Sequence, residues 1–335
     1  VNEHTPGTAA AATRQLSYAD ALNEAMDEEM ARDPGVFVIG EDVDLYGGVY
    51  NLTRDLLERH GTGRVVGTPI SEQGFVGLAV GAAMTGLRPI VEIMYMDFIM
   101  LAMDQLANQM AKLRYMSGGQ FAMPVTIRAQ AGAGTAEAAQ HSQSLEAWFA
   151  HVPGFKVVMP ATVYDAKGLL KAAIRDSNPV VVIENRVLFY QEETVPTGEW
   201  IVPLGSAAVA RHGTDVTVVA VGYARRQALA AAAQLAGEIS VEVVDPRSIV
   251  PLDLDTILAS VAKTGRLLVV HEAPARGGIG AEIVRQVADA GFDYLDAPPR
   301  VLAGANLPIP FSPALEPACL PQPDTVAQAI RELTA

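Results

Sequence analysis

The chain has 335 residues, half of them apolar and 19% charged, a composition that suits a globular protein of two domains. Its 38 acidic residues outnumber 24 basic ones, and the net charge of −14 argues against nucleic acid or a membrane surface as partner. One cysteine, Cys319, excludes an intrachain disulfide and points to a reducing compartment, the cytoplasm.

Residues 1–14 read as a flexible tail without the basic start and apolar centre of a secretion signal. Ser17–Ala31 sets Ala21, Leu22, Ala25, Met26 and Met30 at helical spacing behind a Ser17 cap. Val36–Gly40 is a short apolar run, a buried strand ending at Glu41–Asp42. Leu52–Arg59 predicts a helix.

Val65–Met94 is the stretch the chain is organised around. A strand ends at Val66, Thr68–Pro69 turns, a helix runs from Ser71 to Gly86, and Pro89 opens another strand. Gly74, Gly77 and Gly81 share a side-chain-poor helix face that another backbone can approach. The run Gly74–Leu87 is too short and too rich in glycine and alanine to cross a membrane. Glu72 is the one carboxylate at the mouth of this apolar helix. It reads either as an acid favouring the positive helix end beside a Ser71 cap, or as a carboxyl held in a dry pocket for proton chemistry.

Asp97–Tyr115 predicts a long helix, broken at Gly118–Gly119. Strands follow at Pro124–Ala129, Lys156–Met159 and Pro179–Glu184, with helices through Trp148–Phe149 and over Thr162–Asp176. The strands are continuous apolar runs alternating with helices, which predicts an α/β fold with a parallel sheet covered on both faces. The predicted first domain spans residues 15–187, and an aperiodic linker spans 188–203. Residues 204–335 repeat the alternation as a second doubly wound domain and close on a helix at Thr325–Leu333 capped by Asp324. Ligands of such sheets bind beyond the carboxyl ends of the strands, here at Glu41, Thr68–Glu72, Met94–Phe98, Gln130–Gly134 and Pro160.

The common single-chain motifs are missing. Gly278-Ile279-Gly280 lacks the third glycine of a dinucleotide site, since Ile283 stands there. There is no phosphate-cradling Gly-Lys-Ser loop, no His and Cys metal cluster and no Gly-x-Ser-x-Gly elbow.

Five pieces stand in one order: Thr68-Pro-Ile-Ser-Glu72-x-Gly-Phe-x-Gly, Gly86-Leu-Arg-Pro89, Ala139-Gln-His-Ser-Gln143, Asp165-Ala-Lys-Gly168 and Ala173-Ile-Arg-Asp-x-Asn-Pro179. Together they resemble the β subunit of the thiamine-diphosphate-dependent decarboxylating component of 2-oxo acid dehydrogenase complexes. The resemblance runs from about Ser17 to the C-terminus and implies a pyrimidine-binding domain followed by a transketolase-like C-terminal domain.

It also implies roles. Glu72 matches the glutamate that hydrogen-bonds the aminopyrimidine ring of thiamine diphosphate, favouring the tautomer that takes a proton from the thiazolium carbon. Ile70, Met94 and Phe98 fall in the cofactor-binding set; without the family, Phe98 reads as plain helix core. His141 matches the histidine facing the reactive carbon and the lipoyl entrance; alone it reads as a loop histidine. Val125, Ala173, Ile174, Asp176 and Asn178 match a potassium site, and alone read as a helix C-terminus with a turn.

The chain has no Gly-Asp-Gly motif, which in thiamine enzymes holds the Mg2+ of the diphosphate. The resemblance therefore implies an α subunit that supplies that half of the site in a heterotetramer of two α and two β chains. It further implies docking to a dihydrolipoyl acyltransferase, through its subunit-binding and lipoyl domains. The candidate docking groups are Asp324, Glu332 and the Ala335 carboxylate. Ala129-Gln130-Ala131 replaces a Gly-Pro found in relatives, and Ile93–Met100 leans toward the pyruvate and acetoin types and away from the branched-chain type. Two rival readings are a self-sufficient transketolase-like synthase, opposed by the missing metal motif, and a regulatory subunit, opposed by the presence of Glu72 and His141.

Overall fold

The computed structural model describes residues 12–335. In the first part lie β1 (Thr13–Ser17), α1 (Tyr18–Arg32), β2 (Val36–Glu41), α2 (Leu56–His60), β3 (Val65–Thr68), α3 (Glu72–Met84) and β4 (Arg88–Ile93). They are followed by α4 (Ala111–Met116), β5 (Thr126–Ala131), α5 (Glu146–His151), β6 (Lys156–Val158), α6 (Val163–Arg175), β7 (Val180–Asn185) and β8 (Glu192–Pro196). The second part holds β9 (Ala208–Arg211), β10 (Val216–Ala220), α7 (Ala224–Gln234), β11 (Val241–Asp245) and β12 (Ser248–Val250). It ends with α8 (Leu254–Thr264), β13 (Leu267–Pro274), α9 (Ile279–Gly291), β14 (Arg300–Gly304) and α10 (Pro323–Thr334).

A seven-stranded sheet runs β12-β6-β7-β5-β4-β2-β3, parallel except for β12. A five-stranded sheet runs β14-β13-β10-β11-β9, parallel except for β9. Both sheets carry helices, because strands such as Val180–Asn185 and Val216–Ala220 are buried along their whole length. The two-domain α/β expectation thus holds, with one addition. Strand β12 comes from the second part yet pairs with β6 of the first sheet, so the two domains share backbone hydrogen bonds.

Regular structure extends beyond both ends of the predicted first domain. Of the expected tail, residues 1–11 lie outside the described residues, while Thr13 and Arg14 already belong to β1. The expected aperiodic linker contains a strand. Its strand β8 pairs antiparallel with β1, Thr13 opposite Pro196. Beyond it Trp200 stacks on Tyr164, with ring centroids 5.4 Å apart and planes at 5°. Val202 N–H donates to the Gly168 carbonyl at 3.1 Å, and a Cβ at Gly168 would lie 2.5 Å from the Val202 side chain. Aperiodic sequence concealed this because a two-stranded ribbon and a strap over α6 need no apolar run of their own.

The predicted long helix at Asp97–Tyr115 is three pieces: a 3-10 stretch at Met96–Ala102, a π-helical stretch at Asp104–Met110, and α4. Ile99, Ala102, Leu106 and Met110 are all buried, as the pattern requires. Spacings of three and four residues identify a buried face but not the pitch of the backbone hydrogen bonds. At the chain's end the cap of α10 is Gln322, which forms a reciprocal capping box with Thr325, and not Asp324.

One polar group anchors the middle of the first sheet. Arg128 is fully buried and bonds Glu184 through Nε and Nη2 (2.7 and 2.9 Å) and Glu92 through Nη1 (2.8 Å). Removing either carboxylate would leave a buried charge uncompensated. No helix among the described residues is long and apolar enough to cross a membrane.

Candidate active site at the carboxyl edge of the first sheet

Parallel pairing brings the ends of β2, β3, β4 and β5 to one edge. Glu41 pairs with Thr68 and Ile93 with Ala129, so Met94 and Gln130 follow side by side. Glu72 opens α3 and is 6% exposed. Ser71 does not cap this helix, and its hydroxyl turns to the Pro69 carbonyl at 3.3 Å. The Glu72 carboxylate thus stands at an uncapped helix N-terminus, where free N–H groups favour negative charge.

Glu41 is its acidic neighbour. Burial first, then the charge of Glu72, then that of Asp42 push the Glu41 carboxyl up to about 7. Near neutral pH Glu41 is part protonated beside Glu72 and can give or take a proton. Its Oε1 and the Thr68 hydroxyl are buried without a partner among the described residues. Such orphaned groups at a sheet edge fit a polar heterocycle with hydrogen-bonding nitrogens. Ile70 lies 82% exposed at the rim, and Met94 and Phe98 are half-buried.

His141 is brought to the same edge by a long loop, Gly132–Leu145, with no regular structure. Its imidazole lies edge-on to Tyr95 (centroids 4.8 Å apart) and to Phe98 (5.5 Å). The loop is fastened from three sides. Asp97, 5% exposed, accepts from the Gln143 side chain at 2.8 Å and from its N–H at 3.3 Å. Arg186 donates to the carbonyls of Gly132 (3.1 Å) and His141, pairs with Glu137 at 2.9 Å and lies 4.9 Å from the centre of the Tyr95 ring. From the second domain, Glu316 accepts from the N–H groups of Gly134 (2.8 Å) and Ala136 (3.0 Å). Beside the loop, a cleft of about 460 Å3 is lined by Ser142, Gln143, Glu272, Asn306 and Leu307.

The five residues matched to a potassium site also come together, at the C-terminus of α6 and the neighbouring start of β5. Their oxygens already serve protein donors. Arg88 donates to the carbonyls of Ile174 (2.9 Å) and Asp176 (3.0 Å), and Arg114 to the Asn178 side chain at 2.6 Å. Lys156 pairs with the Asp176 carboxylate, and Val180 N–H donates to the Val125 carbonyl at 3.0 Å. A carbonyl has two lone pairs, so this all-oxygen set still has acceptor capacity for a hard monovalent cation. Among the described residues no three His, Cys, Asp or Glu side chains gather as a metal site.

The structure therefore brings Glu72, Ile70, Met94, Phe98 and His141 to one edge, and it adds residues to which sequence reading gave no role. Glu41 had a signal, since it ends a strand at the ligand-binding edge. Tyr95 and Asp97 lay within Met94–Phe98 at the same edge but had no role, and Asp97 also opened the segment read as helix. Glu316 had no signal, being 182 residues from Gly134 in the chain.

Residues 14–191 match the transketolase pyrimidine-binding domain, and residues 205–326 match the transketolase C-terminal domain. The chain is 48% identical to the pyruvate dehydrogenase E1 component subunit beta of Rhizobium meliloti (strain 1021), over 94% of this chain and 69% of that one. It is 47% identical to the acetoin:2,6-dichlorophenolindophenol oxidoreductase subunit beta of Bacillus subtilis (strain 168), over 96% and 97%. Among solved structures it superposes on a split-gene transketolase, described as an inactive beta4 tetramer, with a TM-score of 0.78 at 22% identity, covering 95% of this chain and 98% of that one. The chain belongs to the family of 2-oxo acid dehydrogenase β subunits, built from a transketolase pyrimidine-binding domain and a transketolase C-terminal domain.

Proposed function

We propose that the chain, with an α subunit, decarboxylates a 2-oxo acid, pyruvate or a close relative, and passes the acyl group to a lipoyl group of an acyltransferase. The observation that carries this reading is the buried Glu72 on the same edge as the His141–Phe98 contact. Bound thiamine diphosphate would supply the nucleophilic carbon and the electron sink for decarboxylation. Glu72 binds and orients the aminopyrimidine and holds a proton at its ring nitrogen, with Glu41 as a neighbouring carboxyl that exchanges protons near pH 7. Ile70, Met94 and Phe98 pack the ring and exclude water. His141 moves a proton at the lipoyl sulfur as the acyl group transfers.

The chain lacks Gly-Asp-Gly, and we assign Mg2+ and the diphosphate to the α subunit of an α2β2 tetramer. Potassium is proposed at the oxygens of Val125, Ala173, Ile174, Asp176 and Asn178, with thermal stability in K+ against choline as its measure. The dock for the acyltransferase is proposed at Asp324 and Glu332, at the two ends of α10. Glu332 pairs with Arg300 at 2.8 Å, so a basic partner would have to displace an exposed ion pair and would bind less tightly as salt rises. The free Cys319 suits a reducing cytoplasm.

A second reading, cleavage of acetoin, rests on the Bacillus subtilis relative, which matches this chain over 97% of its own length. Reconstitution with the α subunit, assayed on pyruvate, branched 2-oxo acids and acetoin, decides between them. Turnover of none of these with lipoyl acceptor present would refute both.

A further inference from the structure

The His141 loop is held in a strained backbone shape. Along it Gly132 and Gly134 have φ of +87° and +107°, and two alanines, Ala136 and Ala138, have φ of +56° and +63°. Alanine in the left-handed region is strained and persists only where surrounding contacts over-determine it. Those contacts are unequal in origin. Asp97 and Arg186 come from the loop's own domain; they hold its backbone near the ends, at Gly132, His141 and Gln143, and in the middle Arg186 meets only side chains, the Thr135 hydroxyl (3.3 Å) and the Glu137 carboxylate (2.9 Å). From the second domain Glu316 reaches across to the strained middle and takes both the Gly134 and the Ala136 backbone N–H on its two oxygens.

Glu316 is itself fixed. It is 4% exposed, and it sits in a 3-10 turn (Glu316–Cys319) whose first N–H donates to the Ser312 carbonyl at 3.0 Å. The turn is pinned to the end of β14 by the Ala305 N–H, which donates to the Cys319 carbonyl at 2.8 Å. A carboxylate that accepts two backbone N–H groups makes charge-assisted bonds, the strong kind, and sets both peptide planes at once. The bonds also span the domains, so the loop's shape depends on how the second domain sits.

From this geometry we infer that Glu316 is a positioning residue for acyl transfer: by gripping Gly134 and Ala136 from the second domain it holds the loop in the strained shape that presents His141. The inference rests on His141 acting in acyl transfer, as proposed above. Glu316 touches no reacting group. Its oxygens face backbone N–H groups, and the effect reaches the chemistry only through the placement of the imidazole beside Tyr95 and Phe98.

The test uses the reconstituted αβ assembly with thiamine diphosphate bound. Glu316→Gln keeps the shape but turns an amide NH2 toward one of the two N–H groups, so one bond is lost. Hydrogen exchange in the peptide covering residues 132–145 should become at least ~10-fold faster, and acyl transfer to a lipoyl domain should fall by ~10–100-fold, the scale for a misplaced group. Decarboxylation read with an artificial electron acceptor should change by less than ~3-fold, because Glu72 and Glu41 are untouched. Ala136→Gly, added to Glu316→Gln, should recover part of the acyl transfer, since glycine takes the left-handed conformation without strain. A Glu316 that merely joined the domains would give no such rescue. Should Glu316→Gln fail to assemble, Glu316→Asp, which keeps the charge with a shorter reach, is expected to give the same pattern at smaller amplitude.

Unchanged exchange and unchanged acyl transfer in the assembled variant overturn the inference. So does equal loss of decarboxylation and acyl transfer with no rescue by Ala136→Gly. If His141→Ala leaves acyl transfer intact, the reading of the site fails. The exchange measurement on Glu316→Gln still reports whether the grip exists.

Discussion

The imidazole of His141 stands edge-on to the ring of Tyr95, 4.8 Å between centroids and 82° between planes. The same Tyr95 hydroxyl accepts or donates at 2.7 Å to Tyr50, and the Arg186 guanidinium covers its face. His141 is thus part of an aromatic and cationic cluster with Tyr95, Phe98 and Arg186. On the proposed roles, Glu72 serves the aminopyrimidine and His141 the acyl transfer, so the two residues should fail in different ways.

His141→Ala should slow acyl transfer to lipoamide more than it weakens cofactor binding. Thiamine diphosphate affinity in the assembled protein should move by less than ~1.4 kcal/mol, a tenfold change. Calorimetric titration beside a lipoamide assay checks this. Collapse of cofactor binding with the fold preserved would make His141 a structural residue.

Glu72→Gln should leave the fold and the assembly intact, because the amide has nearly the same shape. Decarboxylation should fall by at least ~100-fold, the usual scale for losing an acid–base group. Turnover of the reconstituted variant near the unmodified rate would remove Glu72 from the mechanism.

Glu146 gives a pH signature in stability. The side chain is 1% exposed, its Oε2 has no partner among the described residues, and burial pushes the carboxyl up to about 7. The folded protein therefore holds this proton more tightly than the unfolded chain, where the value is 4.5. Stability should fall as pH rises through that window, with the full penalty above the folded value and none below the unfolded one. Glu146→Gln removes the charge at the same volume. Its stability gain over the unmodified protein should be near zero at acid pH and approach at most about 3 kcal/mol by roughly pH 8. Denaturant midpoints across this range are the measurement, and a gain independent of pH would exclude a buried neutral carboxyl.

Most of the architecture was legible because it rests on period and run length. Val36–Glu41, Val180–Asn185 and Val216–Ala220 are short, mostly apolar runs, and each is a parallel strand. What stayed hidden is whatever depends on partners far along the chain. β12 is three residues long and has meaning only beside β6. β1 and β8 stabilise each other, and neither has a core of its own. At the site, Glu72 and His141 stood out through motifs, and Glu41 through its place at a strand end. Asp97 looked like one more helix residue until the loop carrying Gln143 was seen to close on it at 2.8 Å.

The last prediction concerns the glycine face of α3. Gly74, Gly81 and Leu78 are exposed, and an added Cβ at Gly81 would meet nothing within 4 Å. At Gly77 it would meet only the Gln105 side chain, at 3.4 Å. Within this chain the glycines are not needed to make room. In a helix interior each costs roughly 0.8–1 kcal/mol relative to alanine, so their presence calls for a close approach from outside the chain. Gly81→Leu should therefore leave the isolated chain as stable as before or slightly more stable, since leucine is the better helix former. It should block assembly, because a leucine side chain would hold the opposing helix away from the backbone. Thermal denaturation of the isolated variant, paired with sedimentation of the mixture with the α subunit, measures both halves. A variant that assembles normally would show that this face stays in solvent, and the tetramer would then have to be built through another surface.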